Sequence, residues 1–548
     1  MYLFAFLHNA TRGGIMKRRG KSWGIGICVA VTLTLAIFSV SPAFAQCPYF
    51  SDAVTFTSAD GTVIAGNVFI PQANPGQTFP AIIFINSWAM EEHEYLVQAA
   101  QFASEGYIAL SYSARGWGLS GGLIDVAQPA DVEDLSAAID WLQANTPVDM
   151  NNIGAAGMSY GAGISLLAVA QEPRLKTVAS MSGWASLNRA LYEQETPSLV
   201  WGAILTALSY IGRPDPTIAE SFNDLILQQN IPAVVAAMGI SSPINYVNLI
   251  NARHAPVYFS NNWDDDLFKP NSILDMFSKL TGPKHLDLNE GIHISAELPG
   301  LLGLPNYTWD SVHAWFDYWL KGVNNGYMSQ PPVTMKVKHT SQTVTFGGWP
   351  SSTVMTKTFY LGPRAFNLSG KGSLNTSTNR TTFTDVIFSG LDTVATSGRV
   401  PVLDQLLEPV VPITIPLSMV SVVNGIVYQS GTLSSGIKLR GIPKLNIWIT
   451  PSLGQAELVV YLYDVDSLGI GTLITHGPVS LHSATPGKTI QVSMELSATA
   501  WNVTSGHKLA IAIDTYDPLY SVPTLSLYNV KFPLSSSKQS ILTLQYVN

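Results

Sequence analysis

Between Ala81 and Gly183, short apolar runs alternate with segments of helical period. "AIIFINS" (81–87), "YIALSYS" (107–113), "NIGAAGMS" (152–159) and "LKTVASMSG" (175–183) read as buried strands. "EYLVQAAQFASEG" (94–106), "DVEDLSAAIDWLQAN" (131–145) and "GAGISLLAVAQ" (161–171) read as helices. Strands joined by helices can lie parallel, and strands apolar along their whole length need cover on both faces. The alternation therefore predicts an α/β sheet with helices on each side. Upstream, "VTFTSADGTVIAGNVFIP" (54–71) reads as a hairpin about an Asp60-Gly61 turn.

The alternation breaks between Trp184 and Arg253. "LVWGAILTALSYIG" (199–212) and "DLILQQNIPAVVAAMG" (224–239) are helical and unusually apolar. Long insertions of this kind commonly make active-site caps, so residues 184–250 are expected to form a helical cap; an ordinary extra bundle is the alternative. The α/β pattern resumes with "APVYFSNNWDD" (255–265), "KHLDLNEGIH" (284–293) and the helix "SVHAWFDYWLKG" (311–322). The α/β domain is thus placed at 46–183 and 251–325. Past "NNGYMSQPP" (324–332) the helical period is lost. Short alternating strands such as "AELVVYLYDV" (456–465) and "KLAIAIDT" (508–515) follow, separated by Gly, Pro and Ser. That texture predicts an all-β sandwich or jelly roll over residues 330–548.

Residues 1–45 read as an export signal. Lys17 to Lys21 form a basic start, an apolar run follows, and Ala43-Phe44-Ala45 makes a small-x-small cleavage site. Met16 is an alternative start. The expectation is an exported protein, periplasmic or secreted, with no stable membrane insertion once the leader is cut. Without the leader, 24 basic residues face 37 acidic ones, a balance of −13, which argues against nucleic acid as a partner. Cys28 leaves with the leader and Cys47 stands alone, so there is no disulfide framework and no paired-cysteine metal site.

Gly157-Met158-Ser159-Tyr160-Gly161 places a G-x-S-x-G motif between a strand and a helix. Small residues two before and two after the serine let strand and helix approach, so the hydroxyl projects from the top of the sheet. Ser159 is the candidate nucleophile, and the Tyr160 backbone N–H a candidate oxyanion donor. A serine needs a base, and the base needs an orienting carboxylate. In this fold class their chain order is Ser, acid, His. His293, after "NEGI", is the candidate base. His285 lies within a strand, His254 precedes one, and His93 comes before the serine. Asp264, Asp265 and Asp266 stand together after the preceding strand. Asp265 is preferred as the acid, with its two neighbours left open. The second oxyanion donor is expected from the loop after "AIIFINS", through the backbone of Trp88 or Ala89 or the Trp88 indole. Trp88 could equally serve as a wall of the acyl pocket.

Several stretches together resemble the X-prolyl dipeptidyl-peptidase and cocaine esterase family. "SADGTVIAGNVFIP" is similar to the family's opening hairpin, and "SARGWGLSGG" (113–122) to its R-G-x-G-x-S-x-G segment. "DVEDLSAAIDWL" and "GMSYGA" match the helix and elbow that follow. "NNWDDDLF" resembles its W-x-D acid loop, which supports Asp265. "WFDYWLKG" followed by "TFYLGP" resembles the join to the family's C-terminal domain, and residues 434–471 resemble that domain's core. The resemblance implies an α/β-hydrolase sheet with a helical cap insertion, followed by an all-β jelly-roll domain. It also implies acyl transfer through an acyl-serine. Two departures stand out. Trp88 occupies the place of a tyrosine donor found in cocaine-esterase-like members, and Ala114 replaces the acid that often precedes the R-G pair. Arg115 reads as a structural residue whose fork of donors ties loops together.

Two kinds of substrate fit, a small-molecule ester or a short peptide. The apolar cap and Trp88, Trp117, Trp184 and Trp263 favour an ester. An X-Pro dipeptidyl aminopeptidase would need carboxylates for the substrate ammonium. Glu91, Glu92 and Glu94 could supply them, though a solvated charge run opening a helix is the plainer reading. A third reading, a non-catalytic binding protein on a hydrolase scaffold, has the complete candidate triad against it. Asp464 and Asp466 read as solvated acids at a strand end rather than calcium ligands. No metal or organic cofactor is implied, and the sequence is silent on oligomeric state.

Overall fold

Ten strands make one mixed sheet in the computed structural model, which describes residues 48–364 and 370–548. The expected leader and Cys47 lie outside the described residues. The hairpin is β1 (Tyr49–Thr57) and β2 (Val63–Ile70); then come β3 (Phe79–Ile85), β4 (Ile108–Tyr112), β5 (Val148–Met158) and β6 (Leu175–Met181). A two-stranded ribbon, β7 (Tyr192–Glu193) and β8 (Thr196–Pro197), stands apart. The large sheet resumes with β9 (Val257–Asn262), β10 (Lys284–Asn289), β11 (Val333–Lys336) and β12 (Thr343–Phe346). Its order is β1-β2-β4-β3-β5-β6-β9-β10-β11-β12. From β4 through β11 every neighbouring pair is parallel; the hairpin and β12 run antiparallel at the edges.

Helices cover both faces. They are α1 (Leu96–Ser104), α2 (Pro129–Asn145) and α3 (Tyr160–Gln171), and later α9 (Pro270–Lys279), α10 (Leu298–Leu301) and α11 (Tyr307–Lys321). One face buries Ile83, Leu110, Ile153 and Phe259 beneath α2, α3 and α9. The other buries Ile82, Ala156 and Tyr258 beneath α1 and α11, whose Trp309, Trp315 and Phe316 fill that layer. The continuous apolar strands of the sequence are buried on both sides for this reason.

Between β6 and β9 the chain builds the cap: α4 (Leu187–Leu191), the β7–β8 ribbon, α5 (Leu199–Ser209), α6 (Thr217–Leu227), α7 (Ile231–Ile240) and α8 (Val247–Arg253). Among the described residues no single helix is long and apolar enough to cross a membrane; the apolar pair 231–240 and 243–253 bends by 59°.

The first two strands past residue 330 extend the α/β sheet. β11 pairs parallel with β10, and β12 returns antiparallel to β11. Val333, Met335, Phe346 and Trp349 belong to the α/β core. An alternating strand reads the same whichever sheet it joins, so period alone could not assign these two. Among the described residues, fourteen strands between Met355 and Val547 then form the all-β domain, around a core of its own that includes Leu445, Ile447, Val460, Ile511 and Leu544.

Candidate active site

Ser159 lies at the junction of β5 and α3 with φ 52° and ψ −113°. L-residues rarely occupy that region, and such strain persists only where the surroundings fix it. The Ser159 N–H donates to the Met181 carbonyl at 2.9 Å, and the Met158 N–H to the Tyr95 hydroxyl at 2.8 Å. The flanking glycines are demanded by close approach. A Cβ on Gly157 would sit 2.5 Å from the Gly161 carbonyl carbon, and one on Gly161 would sit 2.0 Å from the Ile85 carbonyl oxygen. Strand and helix meet here with no room for a methyl group.

His293 and Asp265 converge on this hydroxyl from the loops after β10 and β9. The His293 Nε2 lies 2.8 Å from the Ser159 Oγ, and its Nδ1 lies 2.8 Å from the Asp265 Oδ2. With Nδ1–H donating to the carboxylate, Nε2 is left to accept the serine proton. The other Asp265 oxygen accepts from the Leu267 and Phe268 amides at 3.0 and 2.8 Å. Trp201 of the cap and Phe268 set their rings edge-on to the imidazole at 6.0 and 5.1 Å. The three adjacent acids are thereby separated. Asp264 pairs with Lys338, and Asp266 with His476.

Above Ser159 opens a cavity of about 590 Å³ between the sheet and the cap. That size falls within the ~300–1,000 Å³ usual for small-molecule sites. Its walls are mostly apolar, among them Trp88, Trp184, Leu205, Phe222, Met238 and Phe268. Tyr160 opens α3, so its N–H has no partner inside the helix and sits at the positive end of the helix dipole. Trp88 departs from one reading of the sequence. Its indole N–H donates to the Leu205 carbonyl of α5 at 3.0 Å, so the indole is not free to meet an oxyanion. The ring stands edge-on to Trp117 at 5.0 Å and to Tyr160 at 5.2 Å. Trp88 is a wall of the cavity, and of the expected second donors the backbone N–H groups of Trp88 and Ala89 remain.

Arg115 behaves as the sequence suggests. It grips Asp134 of α2 through Nε at 2.9 Å and Nη2 at 2.6 Å, and reaches Asp60 of the β1–β2 turn at 3.0 Å. The Glu91–Glu94 run does not. Helix α1 begins only at Leu96, and two of the three glutamates are tied to protein donors rather than left to solvent. Glu92 is buried and bonded to the Ser113 hydroxyl. Glu94 accepts the Ser87 N–H and O–H, each at 2.6 Å. Burial pushes the Glu94 carboxyl up to about 7, against the pull of those two donors. None of the three lines the cavity. Glu91, Glu92 and His93 do bring ligand-type atoms within 4.8 Å of one another. They do not line the cavity above Ser159, and His93 is engaged with Asp52 at 2.7 Å. His285 is buried in β10 beside Asp287, 3.3 Å away. Asp464 is also not solvated: it is buried and takes the Trp501 indole N–H at 3.0 Å and the His507 Nδ1 at 2.8 Å.

One acidic pair escaped the sequence reading. Asp125 lines the cavity, and Asp131 lies buried beside it, accepting from the Tyr160 hydroxyl at 3.0 Å. Burial and the adjacent Asp125 push the Asp131 carboxyl well above the usual range, as expected where neighbouring carboxylates resist a second charge. In the sequence, Asp131 is an ordinary acid in the first turn of a helix. Nothing there reveals that it turns inward.

The comparisons with known proteins agree with this architecture. The X-Pro dipeptidyl-peptidase (S15 family) model matches residues 60–295, and the model of the X-Pro dipeptidyl-peptidase C-terminal non-catalytic domain matches residues 325–544. A Bacillus anthracis relative, provisionally named an Xaa-Pro dipeptidyl-peptidase, is 22% identical over 464 residues, covering 77% of this chain and 71% of that one. A Mycobacterium tuberculosis relative, provisionally named a serine esterase, is 21% identical over 538 residues, covering 79% and 83%. The crystal structure of a CocE/NonD family hydrolase from Staphylococcus aureus superposes with a TM-score of 0.71 at 14% identity, covering 92% of this chain and 94% of that one. Fold and comparisons together define a serine hydrolase of the α/β-hydrolase class. Within it, the chain belongs to the X-Pro dipeptidyl-peptidase (S15) family.

Proposed function

We propose that the protein is an exported serine hydrolase that cleaves esters with apolar acyl groups, using Ser159, His293 and Asp265. The carrying observation is the pair of 2.8 Å contacts that link Ser159 to His293 and His293 to Asp265 on the floor of an apolar cavity. His293 Nε2 takes the hydroxyl proton as Ser159 Oγ attacks the carbonyl carbon. Asp265 holds the imidazole and stabilises its positive charge. The backbone N–H groups of Tyr160 and Trp88 receive the oxyanion. His293 then gives its proton to the departing alcohol oxygen, leaving an acyl group on Ser159. Water, deprotonated by the same imidazole, releases the acid and restores the serine.

A second reading, release of X-Pro dipeptides, is favoured by one observation. Asp125 is an acid on the cavity wall that could meet a substrate ammonium. The test uses two chromogenic substrates, a p-nitrophenyl ester and an alanyl-prolyl anilide, each with a Ser159→Ala control. Turnover of the ester alone is the expected result. Efficient turnover of the anilide, lost in Asp125→Asn, would establish the peptidase instead. Export is tested by the N-terminus of the protein recovered outside the cytoplasm, expected at Gln46.

A further inference from the structure

The two acids that flank Asp265 both reach into the C-terminal half of the chain. Asp264 Oδ1 accepts from the Lys338 Nζ at 2.5 Å. Lys338 also pairs with Glu408 at 3.1 Å, and Glu408 with His339 at 2.9 Å. On the other side, Asp266 Oδ1 lies 3.1 Å from the His476 Nε2. The His476 Nδ1 meets the Tyr520 hydroxyl at 3.2 Å. Tyr520 accepts from the Lys269 Nζ at 2.9 Å, and Lys269 pairs with Glu193 of the cap ribbon at 2.5 Å. These contacts link Glu193, Lys269, Tyr520, His476 and Asp266 into one connected chain. Lys338, Glu408, His476, Tyr520, Lys269, Glu193 and Asp266 are each less than a tenth exposed.

Buried charged networks are costly, and well-packed apolar residues often stabilise such positions as well or better. A network of this size, converging on the two residues that flank Asp265, calls for a reason other than stability. The reason lies in Asp265. Its two oxygens are divided between its own loop's amides and His293, so any tilt of the loop moves the carboxylate off the imidazole. A misplacement of ~1 Å can cost about a hundredfold in rate.

We propose that the C-terminal β-domain positions the triad acid: His476 through Asp266, and Glu408 through Asp264 by way of Lys338 on the β11–β12 connection, fix the acid loop so that Asp265 faces His293. His476, Tyr520 and Glu408 are positioning residues, since none touches the substrate cavity. The charge pattern agrees. Burial works against an ionised Asp266, yet His476, Lys269 and Lys338 keep its carboxyl below the ordinary range. The inference rests on the proposed triad.

The test is ester turnover by full-length His476→Phe, which keeps a ring but removes both nitrogens, and by His476→Gln, which restores a donor toward Asp266. In His476→Phe, kcat is expected to fall by ~10- to 100-fold while KM stays within about twofold, the pattern of a lost transition-state contact. His476→Gln should recover most of the loss. If His476→Phe does not fold, Tyr520→Phe carries the test, because it removes one hydroxyl and should still lower kcat at constant KM. Unchanged kcat in the folded variant, or a loss that the glutamine leaves unrepaired, would overturn the inference. Failure of the triad itself looks different, because Ser159→Ala would then retain turnover.

Discussion

At Asp265 one carboxylate oxygen is given to the loop amides and the other to His293, so the role of this residue depends on accepting, never donating. Asp265→Asn presents an N–H in place of one acceptor and favours the wrong imidazole tautomer. The expected loss in kcat is about 10⁴-fold, whereas Asp264→Asn, one bond further from the chemistry, should lose far less. Steady-state kinetics on the two variants checks the assignment. Glu94 supplies a different prediction. Its carboxyl ordinarily titrates near 4.5 but in the folded protein does so near 7. Between those values the folded state holds a proton that the unfolded chain has released. Stability therefore falls as pH rises from about 5 to 7 and levels off above. In Glu94→Gln that fall should shrink, as read by urea midpoints across the range. Much of the site was legible at this scale. Ser159 and His293 announce themselves by motif, loop and chain order. Asp265 was separable from its neighbours only by a W-x-D likeness, because three adjacent aspartates are chemically identical until a fold gives each a partner. The Asp125–Asp131 pair was invisible, because its meaning depends on which way a helix faces.

The elbow between β5 and α3 is the element on which the site turns. The sequence already explained its small residues, since only they permit the approach. The structure adds which contact decides: a Cβ at Gly161 would run into the Ile85 carbonyl oxygen. Gly161→Ala must push β3 and α3 apart. Overpacking of this kind costs about 1–3 kcal/mol, and the same displacement should shift the Tyr160 N–H and lower kcat. Thermal unfolding and kinetics on the one variant check both. Strands β1 to β6, β9 and β10 follow the sequence closely because each alternates with a helix or a tight turn. β11 and β12 do not, because an alternating strand has no mark of the sheet it will join. The cap was recognisable by its apolar helices. Its β7–β8 ribbon was not, because two-residue strands are set by partners distant in the chain.

Across the whole molecule the β-domain is built into the enzyme rather than hung from it. Ala498 and Ala500 lie in the α/β core. Asn271 of α9 bonds the Leu496 carbonyl at 2.9 Å and the Ala498 N–H at 2.7 Å. The cap ribbon joins the sandwich through Gln194 to the Pro478 and Glu495 carbonyls and through Thr196 to the Ser480 hydroxyl. Domains sharing only small polar contacts unfold separately, but a shared buried interface couples them. Calorimetry should show one cooperative transition, and His476→Phe should not divide it in two. Sequence texture located the second domain without showing its docking, since the docking contacts join residues some 200 to 300 positions apart. The central claim, an acyl group carried on Ser159, is most directly tested by intact mass and peptide mapping after rapid acid quench of a p-nitrophenyl ester reaction. A burst of p-nitrophenol with one acyl adduct on the Ser159 peptide, both absent in Ser159→Ala, is the expected result. Undiminished turnover in Ser159→Ala, or an adduct carried by another residue, would contradict it.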